Sequence, residues 1–192
     1  GEAAYFGMQS GLQRVTYFNG YFIHALQAPN IANNPAIYTS TDLINWTLRA
    51  SNSPNEFNPL DTLVTGSAVI QVGGSNTSGY GNVIFTTDGV NWSSLYRLFL
   101  WAFVGITTDG TQYLMTGQNI NTNDGIIMRS TDLVNWSIVA NTISGTFCRG
   151  VAYGNGIFVA SSTNGSVYIS NNGTTWTNFA TNVGISFYKV YY

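Results

Sequence analysis

A heptapeptide recurs four times along the chain: STDLINW at 40–46, TTDGVNW at 86–92, STDLVNW at 130–136 and SNNGTTW at 170–176. Its tryptophans, Trp46, Trp92, Trp136 and Trp176, are spaced by 46, 44 and 40 residues. A second landmark keeps step with it. Turns ending in glycine stand at Asn19–Gly20, Thr65–Gly66, Asp109–Gly110 and Asn155–Gly156, and those glycines are spaced by 46, 44 and 46 residues. Two unrelated motifs sharing one period mark an array of one structural unit, whose copies bury their apolar faces on each other.

The unit reads as four strands. In the fourth copy, RGVAYGN leads through Asn155–Gly156 to IFVASS, then through Asn164–Gly165 to SVYIS and TTWTNFA. Short runs rich in Val, Ile, Tyr, Phe and Thr, punctuated by Asn-Gly-type turns, form antiparallel meanders. No segment carries sustained helical periodicity, so little or no helix is expected. Four strands in a period in the low forties is the pattern of a propeller blade. The expected fold is an all-β propeller of four-stranded antiparallel blades at about 11–50, 58–97, 101–140 and 146–181. The segment SFYKVYY, 186–192, resembles the first strand of a blade, with Lys189 on Arg14, Val190 on Val15, Tyr191 on Thr16 and Tyr192 on Tyr17. This gives four full blades plus one surplus inner strand. That strand either closes a compact ring against EAAYFGM or belongs to a longer array whose remaining blades lie beyond residue 192 or on another subunit.

The heptapeptide falls where the third strand of each unit turns into the fourth. There a Ser or Thr and an Asp can accept backbone N–H groups that have no strand partner. Asp42, Asp88 and Asp132 are therefore expected to pin turns. Such a role needs an acceptor oxygen more than a charge, which explains Asn172 in the fourth copy. Gly89 and Gly173 suit the positive φ of a tight turn. Leu43 and Leu133 fill that slot in the other copies, so there the left-handed residue is expected at Asn45 or Asn135. Each Trp is expected to open the fourth strand and pack between neighbouring sheets.

S-T-D-(G/L)-x-N-W resembles the Asp-box, or BNR repeat, of sialidase-like propellers, and through the phased strands the likeness extends over nearly the whole chain. The resemblance implies propeller blades with the motif on the periphery, away from any active site. It implies little about activity, since such boxes occur in glycosidases, sorting receptors, photosystem assembly factors and phage tail proteins. A sialidase-like enzyme would need clustered arginines, a Tyr nucleophile with a Glu, and an Asp acid/base. Glu occurs only as Glu2 and Glu56, and the Arg-Ile-Pro signature is absent.

Only 7% of residues are charged, while 44% are hydrophobic. This excludes disorder and fits a neutral, amide-rich surface such as that of an extracellular or virion protein. The six basic residues are scattered singly, so nucleic acid is not an expected partner. No apolar run reaches the length of a membrane span. The single Cys148 and single His24 argue against a zinc site. NINTNDG, 119–125, reads as a hairpin loop with too few carboxylates for calcium. No cofactor, metal site or catalytic residue is expected. Glu56 and Asp61 are read as surface acids, and His24 as a packed or edge residue.

Binding is expected at inner-strand starts around the funnel. Arg14 and Lys189 share one place there, Arg149 and Tyr188 the place before, and Trp101 stands a little earlier. Arg149 should face the opposite side of its sheet from the Arg14 place unless a bulge intervenes. Trp101 has a competing reading as an inter-blade packing residue. The expected function is a non-catalytic recognition or structural module of an extracellular or virion assembly, such as a phage tail or fibre, binding cell-surface glycan. The alternatives are a fragment of a sialidase-like glycoside hydrolase and a purely architectural virion protein. Further blades or subunits of a larger assembly are expected partners.

Overall fold

The computed structural model describes residues 15–26, 36–49, 58–74, 80–99, 101–119, 121–122, 124–143 and 146–180. Arg14, Tyr188, Lys189 and the surplus strand at 186–192 lie outside them. The described residues contain no helix and fold into four antiparallel sheets of four strands each. Blade 1 holds β1 (Val15–Phe18), β2 (Tyr21–Leu26), β3 (Ala36–Ser40) and β4 (Thr47–Arg49). Blade 2 holds β5 (Asn58–Val64), β6 (Val69–Gly74), β7 (Tyr80–Thr86) and β8 (Ser93–Phe99). Blade 3 holds β9 (Trp101–Thr108), β10 (Tyr113–Asn119), β11 (Gly125–Ser130) and β12 (Ser137–Ile143). Blade 4 holds β13 (Cys148–Gly154), β14 (Ile157–Ser162), β15 (Ser166–Ser170) and β16 (Thr177–Ala180).

Within each sheet the strands lie in chain order, so every connection is a hairpin. The Asn19–Gly20 and Asn155–Gly156 turns take positive φ at both residues, the geometry that matches strand twist in a two-residue hairpin. The other two first hairpins are wider, spanning 65–68 and 109–112. Thr65 and Asp109 donate their N–H groups to the carbonyls of Ala68 and Gln112 at 2.9 and 3.4 Å.

The blades stack in chain order, and each junction has its own apolar core. Ile23, Ala25 and Ile37 of blade 1 meet Val69, Ile84 and Trp92 of blade 2. Ile70, Val72 and Val83 on the other face of blade 2 meet Phe103, Ile106, Met115 and Met128 of blade 3. Leu114 and Ile127 of blade 3 meet Val151, Phe158, Ala160 and Tyr168 of blade 4. Adjacent residues such as Val69 and Ile70, or Leu114 and Met115, thus serve opposite junctions, as strand alternation requires. Both faces of the inner blades are covered, which is why β6 is buried throughout. Each fully buried aliphatic side chain contributes roughly 1.5–3 kcal/mol relative to exposure.

The tryptophans occupy one register position in these junctions. Trp92, Trp136 and Trp176 face the blade before their own. Trp46 belongs to the first described blade and sits against His24 of its own sheet, ring centres 6.1 Å apart.

Candidate functional site

Two sets of residues bear on function: the four outer corners and the inner strands. The corners are built alike. In the first, Ser40 Oγ accepts the N–H groups of Asp42 and Leu43 at 3.2 and 2.9 Å and donates to Asp42 Oδ1 at 2.9 Å. Asp42 Oδ1 accepts from the backbones of Ile44 and Asn45 at 2.9 and 2.7 Å, and Asn45 Nδ2 donates to Oδ2 at 2.8 Å. The pattern repeats around Asp88, where Val90 N and Asn91 N each donate at 2.8 Å. It repeats again around Asp132, with Val134 N at 2.9 Å and Asn135 N at 2.7 Å. Backbone and side-chain bonds from Asn45, Asn91 and Asn135 lead in holding the three carboxyls well below the usual carboxylate range.

The fourth corner shows why an amide suffices and what it gives up. Asn172 Oδ1 accepts Thr174 N and Thr175 N, both at 2.9 Å. The atom opposite is now an NH2 group, which cannot accept. The residue that donates to the second oxygen elsewhere, Asn45, Asn91 or Asn135, is here Thr175.

One expectation about these corners is overturned. The left-handed residue is Leu43 (φ 64°) or Leu133 (φ 65°) itself, in the slot filled by Gly89 (φ 80°) and Gly173 (φ 73°), and not Asn45 or Asn135. Hydrogen bonds on both sides of the slot fix its backbone. Leu43 N and Leu133 N each donate to the preceding Ser Oγ at 2.9 Å, and the next two amides are held by the Asp. These bonds offset the steric cost of left-handed backbone in a side-chain-bearing residue. The carbonyl of the slot then takes the indole N–H where the slot is Leu, at 3.2 Å for Trp46 and 2.8 Å for Trp136. Where it is Gly, the indole nitrogens of Trp92 and Trp176 have no hydrogen-bond partner among the described residues.

The neighbouring blade decides which residue fills the slot. A Cβ on Gly89 would stand 3.2 Å from the ring of Tyr21, and one on Gly173 would stand 3.0 Å from Oε1 of Gln112. Both neighbours belong to the first hairpin of the preceding blade. Asn19 Nδ2 donates to the carbonyl of Asp88 there, and Gln112 Nε2 to that of Asn172. The matching position in blade 2 is the small Ala68, and the corner above it carries Leu133, which packs into the junction.

The inner strands share a feature that sequence reading only allowed for. Each of β5, β9 and β13 carries a bulge, at Leu60, Val104 and Arg149. Counted back from the first hairpin, the three positions are equivalent. A bulge re-aims the side chains beyond it. Arg149 is half-buried, with its guanidinium 4.6 Å above the ring of Phe147. Trp101 opens β9 opposite Asn119, and nothing is described of its side chain. The other three proposed ligand residues, Arg14, Tyr188 and Lys189, lie outside the described residues.

In β5 and β9 the residue after the bulge faces the next inner strand. In β5 it is Asp61, whose Oδ2 accepts the N–H of Ile106 on β9 at 3.1 Å. In β9 it is Gly105, where a Cβ would meet Val151 N at 3.1 Å and the Cα of Gly150 at 3.2 Å. A carboxylate cross-brace and a glycine contact thus occupy the same place at successive junctions. Asp61 was expected at the surface. A bond spanning 45 residues has no local signature in sequence.

Asp109 is likewise engaged in its hairpin. Its burial would raise the carboxyl, but bonds from Gln112 and Thr111 outweigh that and lower it. Desolvation pushes the buried Cys148 thiol up to about 12, so it is not a nucleophile at neutral pH. Burial lowers His24, favouring its neutral form. Among the described residues no three His, Cys, Asp or Glu side chains gather as a metal site would require.

No protein-family profile and no curated protein sequence matches this chain. Its fold does match solved structures of propeller type. YCF48 bound to D1 peptide superposes with a TM-score of 0.62 at 18% identity, covering 97% of this chain and 60% of that one. A structure of the nidogen/laminin complex gives 0.61 at 10% identity, covering 88% and 63%. A thermostable family-43 glycoside hydrolase gives 0.57 at 11%, covering 92% and 73%. At such identities the likeness is one of fold. This chain spans less than two thirds of the first two.

Proposed function

We propose that the chain is a non-catalytic recognition module of an extracellular or virion assembly, built of Asp-box blades and binding a cell-surface glycan. The observation that carries this reading is how the carboxylates are used. Asp42, Asp88, Asp132 and Asp109 each accept backbone N–H groups within their own turns, and Asp61 braces two blades. A glycosidase needs two carboxyl groups facing one another across a substrate bond, and these five are each engaged by backbone N–H groups of their own turn or of the next blade. The amide-rich, weakly charged composition and the Asp-box resemblance support the same reading.

The ligand would meet the inner-strand starts, where Arg149 lies over Phe147 and where Arg14, Trp101, Tyr188 and Lys189 belong by sequence. An aromatic ring beside a guanidinium suits a sugar face and its hydroxyl or carboxylate groups. The glycoside-hydrolase neighbour favours a second reading, a fragment of a sialidase-like hydrolase. A purely architectural virion role is the third. A glycan array followed by titration calorimetry separates them. The expected result is saturable binding without turnover of chromogenic glycosides, weakened at least about tenfold by Arg149→Ala, with an unchanged melting temperature. Turnover would establish the second reading. Absence of binding across the array would leave the third.

A further inference from the structure

In blades 2, 3 and 4 the face that carries the tryptophan packs on the blade before, and in blades 1, 2 and 3 the opposite face receives the blade after. Among the described residues two such faces have no neighbouring blade: the tryptophan face of blade 1 and the far face of blade 4. Strand register places Val15, Tyr17, Phe22, Tyr38 and Trp46 on the first. The equivalent positions of blade 4 hold Val151, Tyr153, Phe158, Tyr168 and Trp176. All five residue types coincide; His24 against Ala160 and Leu48 against Asn178 differ. Even the aromatic pair recurs, Tyr17 with Phe22 at 5.0 Å and Tyr153 with Phe158 at 4.6 Å. In blade 4 this set is packed on blade 3, leaving Val151 4% and Phe158 1% exposed. In blade 1 Val15 is 45% and Tyr17 61% exposed.

The far face of blade 4 is the matching half. Val159 and Val167 stand where blade 3 presents Leu114 and Ile127 to blade 4, and Phe179 follows its tryptophan by three residues, as does Val139, which packs on the same junction. Phe179 is 53% exposed. The molecule therefore displays both halves of a junction that it forms three times internally.

We infer that the tryptophan face of blade 1 docks on the far face of blade 4 of a second copy, repeating the blade 3–blade 4 junction between molecules. The contact is head-to-tail. Each copy contributes one face of each kind, so association ends when the copies close into a ring. This inference is independent of any ligand.

Sedimentation velocity on the 192-residue chain tests it, with Val15→Arg to charge the blade 1 face, at the place that Val151 fills in the blade 3–blade 4 junction, and Phe179→Arg to charge the blade 4 face. Both side chains are exposed, and melting curves with circular dichroism check that the fold survives. The wild type is expected as a closed oligomer across the micromolar range and each variant as a monomer. An equimolar mixture of the two variants should give a heterodimer and nothing larger, because it retains one intact pair of faces. Tyr17→Ser, which removes a ring without adding charge, should weaken the wild-type oligomer if an arginine disturbs folding. A monomeric wild type, an oligomer indifferent to all three substitutions, or a mixture that stays monomeric would each overturn the inference.

Discussion

Leu43 and Leu133 are side-chain-bearing residues held at positive φ by three or four local hydrogen bonds, and the penalty is recoverable. Leu43→Gly should raise stability by about 0.5–1 kcal/mol in denaturant titrations, the left-handed penalty less the entropy glycine adds to the unfolded chain. Leu133→Gly should gain less or lose, since Leu133 also packs between blades 2 and 3. The corner carboxylates give a second outcome. Their folded pKa values lie below the ordinary 3.8, so the unfolded chain binds protons more readily. The stability they supply is complete above that value and is lost as pH falls below it. Melting temperature should drop on acidification below 3.8, and Asp42→Asn, Asp88→Asn and Asp132→Asn combined should flatten that slope. The pinning role of the acids was readable from residue type and spacing. The site of left-handed backbone was not, because a propensity for Asn or Gly yields where flanking bonds fix both neighbours.

Strands and their order were legible from the phased motifs, since alternation, turn chemistry and period all agreed. The bulges at Leu60, Val104 and Arg149 were not, because a bulge is defined by counting residues against a partner strand. For the same reason neither the direction of Arg149 nor the brace from Asp61 to Ile106 is legible in the sequence. Close strand approach also left only a faint mark in sequence, as glycines within otherwise ordinary β runs. A Cβ at Gly125 would lie 2.7 Å from the carbonyl oxygen of Thr146 and 2.8 Å from Cys148 N, both backbone atoms of the next blade. Gly125→Ala should therefore cost roughly 1–3 kcal/mol as overpacking, measured by thermal and chemical unfolding.

Among the described residues the blades pack in a row, each core shared by two successive blades, so stability is approximately a sum over units and junctions. Blade 1 is at a disadvantage in that sum. Its first and last strands have four and three residues, and only one of its faces is packed against another described blade. Blades 2 and 3 are packed on both faces. Amide hydrogen exchange should accordingly find β6, β7, β10 and β11 protected by the largest opening energies and β2 and β3 released first. Equal protection throughout would mean that the row opens only as one body.

The corner also bears on how such a row can be lengthened. Its turn-pinning bonds lie inside seven consecutive residues, so a duplicated stretch of gene brings a finished corner with it. Only the slot must be retuned to its new neighbour: it is glycine at Gly89 and Gly173, under the bulky Tyr21 and Gln112, and leucine at Leu133, over the small Ala68. Copying a blade and then changing one codon is a short path to a longer row.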